Sequence, residues 1–338
     1  MATVGAKLTG TGRSGEDDLS SGPCDGARFQ PDHPGYRHAV TTTPYPDDTA
    51  QRSERDERDD SEERGEDVEG ASGLNEQDVE DTLQRTVEEG RRRMHRSWLP
   101  LLSTGVVGGI DVGTGVMAML VVETRTGNKL LAGLAFSVGF IALTLARSEL
   151  FTEDFLVPVS AVIARQSRFR SLLRLWAATA VMNLVGGWII TKLVIDGFPD
   201  VRKTAAEAGA HYIGLGLEWR AFSLALLGGA VITLMTWMQH ATESPAVKLV
   251  PAVTTGFLLG GLQLNHAIVN SLLIFSGLHT GHTSYGYLDW AQTAGFAALG
   301  NMVGGVALVT LLRMLQVPHK VREQARNPAP CVEDRRRS

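Results

Sequence analysis

Apolar and polar positions divide the chain into two unlike stretches. From Trp98 to about Gln316, long apolar runs alternate with short polar links, whereas residues 1 to about 94 are polar, charged and poor in aromatics. A helix needs about 20 mainly apolar residues to cross a bilayer. Six runs approach or exceed that length: about Trp98–Val122, Leu130–Arg147, Leu172–Ile195, Trp219–His240, Val247–Leu278 and Trp290–Leu315. Trp98, Trp219, Trp237 and Trp290 fall near the ends of these runs, where indole rings favour the interface. The pattern predicts an all-α membrane protein of six spans over residues 95–316.

The flanks read differently. The mixed-charge run Arg52–Glu69 cannot bury enough apolar surface to offset its ordering entropy, so residues 1–94 are expected to be a disordered polar tail. Within that tail, Val79, Leu83 and Val87 recur at helical spacing and suggest a short surface helix leading into the first span. Residues 317–338 form a basic C-terminal tail. Averaging these parts gives a mean hydropathy of -0.01 and a formal net charge of -5, values that would suit a soluble enzyme and describe neither part. No apolar run opens the chain over Met1–Gly15, so no cleavable signal is expected. The cysteines, Cys24 and Cys331, are one per tail; free thiols and no metal site are expected.

Basic residues set the orientation. Arg91, Arg92, Arg93 and Arg96 precede the first run. Arg165, Arg168, Arg170 and Arg174 follow the second, and Lys320, Arg322, Arg326 and Arg335–Arg337 follow the last. The alternate links carry only Arg125, Lys129, Arg202 and Lys203, with no Lys or Arg from His279 to Asp289. The positive-inside rule then places both termini in the cytoplasm of a cell (inner) membrane protein.

A duplication is also legible. Asn183-Leu184-Val185-Gly186-Gly187 in the third run and Asn301-Met302-Val303-Gly304-Gly305 in the sixth share N-x-V-G-G at an offset of 118 residues. Gly108-Gly109 and Gly228-Gly229 repeat at an offset of 120. Glycine pairs serve helix packing in general, but a shared offset argues for two copies of a three-span unit. Three is odd, so the second copy enters from the other side. The expected architecture is two inverted three-helix repeats, with a site at the midplane between them.

Two interruptions coincide under this repeat. The second run breaks at Arg147-Ser148-Glu149-Leu150-Phe151-Thr152-Glu153-Asp154, and the fifth at Gln263-Leu264-Asn265-His266. Thr152 and Asn265 are expected to cap new helices starting near Glu153 and His266. Two helix starts near mid-membrane would aim free N–H groups and positive dipole ends at one centre, an arrangement that favours an anion. His266 is the leading candidate, because an ionisable side chain at membrane depth is costly and a histidine changes charge near neutral pH. Arg147 and Glu149 read either as a buried ion pair holding the break or as a fixed cation beside the pathway. Glu153 and Asp154 read as first-turn acids. Asn183 and Asn301 are expected to hold broken backbone by hydrogen bonds, and His279 and His282 to be surface residues. No nucleotide-binding loop and no nucleophile motif are present.

These residues resemble the formate/nitrite transporter family over about residues 95–316. Ser148-Glu149-Leu150-Phe151-Thr152 is similar to its E-L-F-T loop, Asn183-Leu184-Val185-Gly186 to its N-x-x-G, and His266-Ala267-Ile268-Val269-Asn270 to its H-x-x-x-N. Gly133–Gly139 matches its glycine-rich second span. The resemblance implies an aquaporin-like protomer, a homopentamer with one pore per subunit, and movement of formate, nitrite or a similar anion, passively or with a proton. It implies neither cofactor, nucleic acid nor enzymatic step. It maps a central histidine and threonine to His266 and Thr152, makes Leu150 and Phe151 candidates for a constriction, and places Asn270 on the substrate pathway. The chain departs from the family at Gly229, where an asparagine is usual, at Asn265 in place of a glutamate, and at Arg147-Ser148 in place of a glycine. A pore for a small neutral solute and a non-transporting scaffold are the alternative readings.

Overall fold

The computed structural model describes residues 77–326. The Arg52–Glu69 run, Cys24, Cys331 and Arg335–Arg337 lie outside the described residues. Among the described residues the chain is helical and has no strand. The helices are α1 (77–94), α2 (Trp98–Thr126), α3 (Lys129–Ala146), α4 (Val157–Ile163) and α5 (Phe169–Gly197), then α6 (Arg202–Gly214), α7 (Trp219–His240), α8 (Pro245–Gly261), α9 (Ala267–Leu278) and α10 (Tyr287–Val303). α10 widens into a π-helical stretch, Gly304–Leu311, before α11 (Leu312–Gln316), and α12 (Pro318–Arg326) follows.

Five helices are long and apolar enough to cross a membrane: α2, α3, α5, α7 and the continuous Tyr287–Gln316 rod. The fifth expected span is divided at the expected interruption into α8 and α9, of 17 and 12 residues, neither of which reaches the length of a crossing alone. The expected six spans therefore correspond to five long helices and one divided pair.

The repeat extends further than the motifs indicated. Each half runs lead helix, long helix, interrupted helix, short helix, long helix: α1–α5 and α6–α10. α2 packs on α3 and α5, and α7 on α8 and α10. The lead helices behave alike, α6 packing on α9 and α1 on α4, where a side chain at Gly90 would strike the carbonyl of Val157. The stretch that reads as a surface helix is α1, and it is packed rather than superficial: Leu83, Val87 and Met94 join a core cluster with Leu156, Val157 and Ala161.

The glycine pairs explain how the long helices approach. A Cβ at Gly109 would collide with the backbone carbonyl of Asn183, and one at Gly229 with that of Asn301. Helix association in lipid depends on close packing of small residues, because lipid tails are as apolar as leucine. The halves interlock through α3 and α8, where Gly133 meets Gly260 and Gly261 and the Ser137 hydroxyl donates to the Val253 carbonyl at 2.9 Å. Between them lies an apolar cluster containing Phe136, Phe140, Leu150, Ile268 and Leu272. Leu134, Val138, Leu145 and Leu193 remain exposed on the outside.

Candidate functional site

Both interruptions begin with the same backbone device. α3 ends at Arg147 with φ 54°, and the turn after α8 has Gln263 at φ 53°, the left-handed region disfavoured for non-glycine residues. The chain then leaves helical geometry and must find other partners for its backbone, since backbone groups buried away from water are costly to leave unpaired. Asn183 and Asn301 supply them in matching fashion. The Asn183 Oδ1 accepts from the Phe151 N–H (2.8 Å), while its Nδ2 donates to the carbonyls of Gly105 and Glu149 (2.8 Å each). The Asn301 Oδ1 accepts from the Ala267 N–H (2.8 Å), and its Nδ2 donates to the carbonyls of Ala225 (2.7 Å) and Asn265 (2.9 Å). Each buried amide thus ties an interrupted loop to a long helix.

The two interruptions meet at Thr152 and His266. Both are fully buried, and the Thr152 Oγ1 lies 2.8 Å from His266 Nε2. His266 is the N-cap of α9, with its Nδ1 accepting from the Val269 N–H at 3.2 Å. A ring accepting at Nδ1 carries its proton on Nε2, so Nε2–H donates to the Thr152 oxygen. The Thr152 hydroxyl proton is then left to point elsewhere.

Several expected details differ. Thr152 does not cap a helix; its side chain faces His266, a 3₁₀ turn runs over Glu153–Phe155, and α4 begins only at Val157. The two helix starts are consequently unequal, a seven-residue helix against the 12 residues of α9. Asn265 does not cap α9 either. Its Nδ2 donates to the Ala221 carbonyl at 3.0 Å, and its amide bonds that of Asn270 at 2.7 Å. Arg147 and Glu149 are not a pair. Arg147 is exposed at the end of α3, while buried Glu149 meets Arg93 at 3.4 Å and Arg96 at 2.7 Å, both brought by α1 or its C-terminal turn. Glu153 and Asp154 are buried, and Asp154 also faces Arg93, at 3.5 Å. Leu150 sits in the central apolar cluster. The Phe151 ring packs edge-to-face on Phe155 and Trp176. Of the two histidines read as surface residues, His279 faces Trp188 and its carbonyl, and no cluster suited to a metal is found among the described residues.

Sequence reasoning missed the cations from the lead helix and Asp111, whose Oδ2 accepts from the Ser148 hydroxyl at 2.6 Å. Nothing in the spacing of Arg93 or Asp111 marks them; only the fold brings them to the loop. A cavity of about 570 Å³ opens onto this interruption. Its wall includes Arg85, Arg92, Arg93, Arg96, Arg147 and Lys248 against Glu89, Glu153 and Glu243, with Ser148 and His240. Arg147 and Lys248 form no ion pair among the described residues. The cavity therefore presents an excess of positive charge.

Comparison with known proteins places this architecture. The sequence profile of the formate/nitrite transporter family matches residues 80–315. The inner membrane protein YfdC of Escherichia coli (strain K12) is 24% identical over 263 residues, 73% of this chain and 83% of that protein. A probable formate transporter of Methanothermobacter thermautotrophicus is 27% identical over 230 residues, covering 63% of this chain and 81% of its own length. Among solved structures, an FNT family ion channel superposes with a TM-score of 0.64 at 20% identity, over 70% of this chain and 99% of that one. A pentameric formate channel with formate bound superposes with a TM-score of 0.55 at 21% identity, over 64% of this chain and 96% of that one.

Proposed function

The chain belongs to the formate/nitrite transporter family, and from that premise we propose that it passes a small monovalent weak-acid anion, such as formate or nitrite, across a membrane. The observation that carries this reading is the contact between the two interruptions, Thr152 Oγ1 to His266 Nε2 at 2.8 Å. In this reading α8 and α9 form one crossing, each half contributes three, and the second half is inverted, so the contact falls near the midplane. The exposed apolar side chains face lipid or neighbouring subunits, and both termini lie in the cytoplasm.

The chemistry follows from the partners. An anion collected by the cationic cavity sheds water as it enters the apolar centre around Leu150. There the Thr152 hydroxyl proton, which the Thr152–His266 contact leaves free, and the His266 Nε2–H, once it turns from Thr152 to the anion, are the donors that replace part of its hydration. Both donors are neutral, so they hold the anion weakly enough for it to leave, a condition of conduction. A weak-acid anion can also cross as its protonated form, with His266 as the group that passes the proton. Asn265 and Asn270 hold the turn that aims His266, Phe151 braces the opposite loop on α5, Arg147 lines the cavity, and Glu149 ties the loop behind it to Arg93 and Arg96. The similar solved structure described as a pentameric formate channel supports a homopentamer with one pathway per subunit.

A second reading, a pore for a small neutral solute, is favoured by the uncharged Thr152–His266 contact and by the amide of Asn265. Flux decides between them. Proteoliposomes holding the full chain should take up formate or nitrite at neutral or acidic pH, and His266→Ala should lower the rate at least about tenfold, the scale of one lost preorganised donor or more. Absence of flux of any small weak-acid anion in the native chain would remove the first reading.

A further inference from the structure

The three carboxylates of the first interruption have no counterpart in the second. Glu149, Glu153 and Asp154 are 1%, 4% and 0% exposed, whereas the second loop carries Asn265 and His266 and no carboxylate. Buried carboxylates persist only when charge and hydrogen bonds compensate them. The compensation comes from outside the crossing helices. Arg93, on α1, meets Glu149 at 3.4 Å and Asp154 at 3.5 Å, and is itself steadied by Glu89 at 3.0 Å. Arg96, in the turn after α1, meets the same Glu149 oxygen at 2.7 Å. Burial works against the Arg93 charge, but Glu149, Asp154 and Glu89 outweigh it and hold the guanidinium above its ordinary range.

Between the two anchored acids lie Leu150, Phe151, Thr152 and Glu153. The segment is pinned on one side by Asn183 and on the other by these ion pairs, and Thr152 is its residue facing His266. α1 cannot slide without breaking the set, because Gly90 lies against the Val157 backbone and Leu83 and Val87 are buried.

We propose that Arg93, assisted by Arg96, is a positioning residue of the anion pathway: through Glu149 and Asp154 it holds the interrupted loop so that Thr152 meets His266. The lead helix is thereby part of the transport unit. This rests on the anion-transport reading above and adds a residue that acts through Thr152 without touching the substrate.

The test is formate uptake by proteoliposomes of the full chain, with Arg93→Gln, Arg93→Lys, Arg96→Gln and Thr152→Ala and their combinations. Arg93→Gln should lower uptake at least about tenfold, as expected for a displaced pathway group, and Arg93→Lys should restore part of it. In the Thr152→Ala background the further fall on Arg93→Gln should be less than about twofold, because residues acting as a unit are non-additive. Uptake by Arg93→Gln within twofold of native, or the same tenfold loss without Thr152, would overturn the proposal. If Arg93→Gln is not monodisperse, Arg96→Gln at the rim takes its place, with a loss of about threefold that vanishes in the Thr152→Ala background; a loss that persists there, or none, overturns it. Amide hydrogen exchange over residues 148–155 gives a flux-independent check. It should quicken in Arg96→Gln and Arg93→Gln, and an unchanged rate sinks the proposal even if the native chain moves no formate, a result that would separately sink the transport reading.

Discussion

At the scale of single residues, two asparagines carry more of the site than any charged group does. Asn183 and Asn301 each make three hydrogen bonds from one amide, two given and one received, and each joins a long helix to an interrupted loop. Interhelical hydrogen bonds in membrane bundles average about 0.6 kcal/mol, so removing three together should cost about 2 kcal/mol. Asn183→Ala and Asn301→Ala are each expected to lower the thermal unfolding midpoint in detergent. Asn183→Asp and Asn301→Asp should lower it further, because a carboxylate accepts from the loop N–H but faces two carbonyls it cannot donate to. Equal midpoints for the native and aspartate forms would contradict these hydrogen bonds. The asparagines stood out in the sequence because their spacing repeats. His266 as the cap of its own helix did not, since Asn265 is the better cap by type and only the fold shows its amide committed to Ala221 and Asn270.

At the scale of elements, the periodicity located the long helices and both interruptions, and the residues that mark a break are legible because a polar cluster and a repeat coincide there. The lead helices were harder to read. α1 presents few apolar positions, and its packing depends on Gly90 meeting α4 and on ion pairs to a loop more than 50 residues away. Its other end is tied to α12. His319 and Lys320 both reach the Glu80 carboxylate, and the Gln166 amide donates to the Gln324 carbonyl at 2.7 Å. The hydrogen bond from His319, with the charge of Lys320, holds Glu80 below the usual glutamate range. Because the folded value lies below the free one, this tie is present above the ordinary glutamate range and is lost as pH falls through the lowered value. The protection of the 318–326 amides, taken relative to the intrinsic exchange rate at each pH, should therefore fall on going from about pH 7 to about pH 3.5, a span bracketing the free glutamate value. Glu80→Gln should already exchange fast at neutral pH and flatten the dependence.

At the scale of the whole molecule, duplication supplies near-symmetry and charge removes it. The backbone devices match across the halves: Arg147 with Gln263, Asn183 with Asn301, Gly109 with Gly229. The side chains that carry charge do not, since the cavity of about 570 Å³ at the first interruption gathers six Lys and Arg side chains, of which Arg85, Arg92, Arg93 and Arg96 meet carboxylates and Arg147 and Lys248 meet none among the described residues. A concave wall of one dominant sign raises the local concentration of the opposite ion and the rate at which it enters. That contribution acts through solvent, so salt weakens it: the screening length falls from about 10 Å at 0.1 M to about 3 Å at 1 M. Formate uptake at a fixed gradient should accordingly decline several-fold as an impermeant salt is raised across that range. The paired variant Arg147→Gln/Lys248→Gln should begin lower at low salt and decline less, because these two cations lack an ion-pair partner among the described residues and their full charge faces the cavity. Native uptake independent of ionic strength, or a variant whose salt dependence equals the native one, would mean that anions reach the Thr152–His266 contact without being gathered by this cavity.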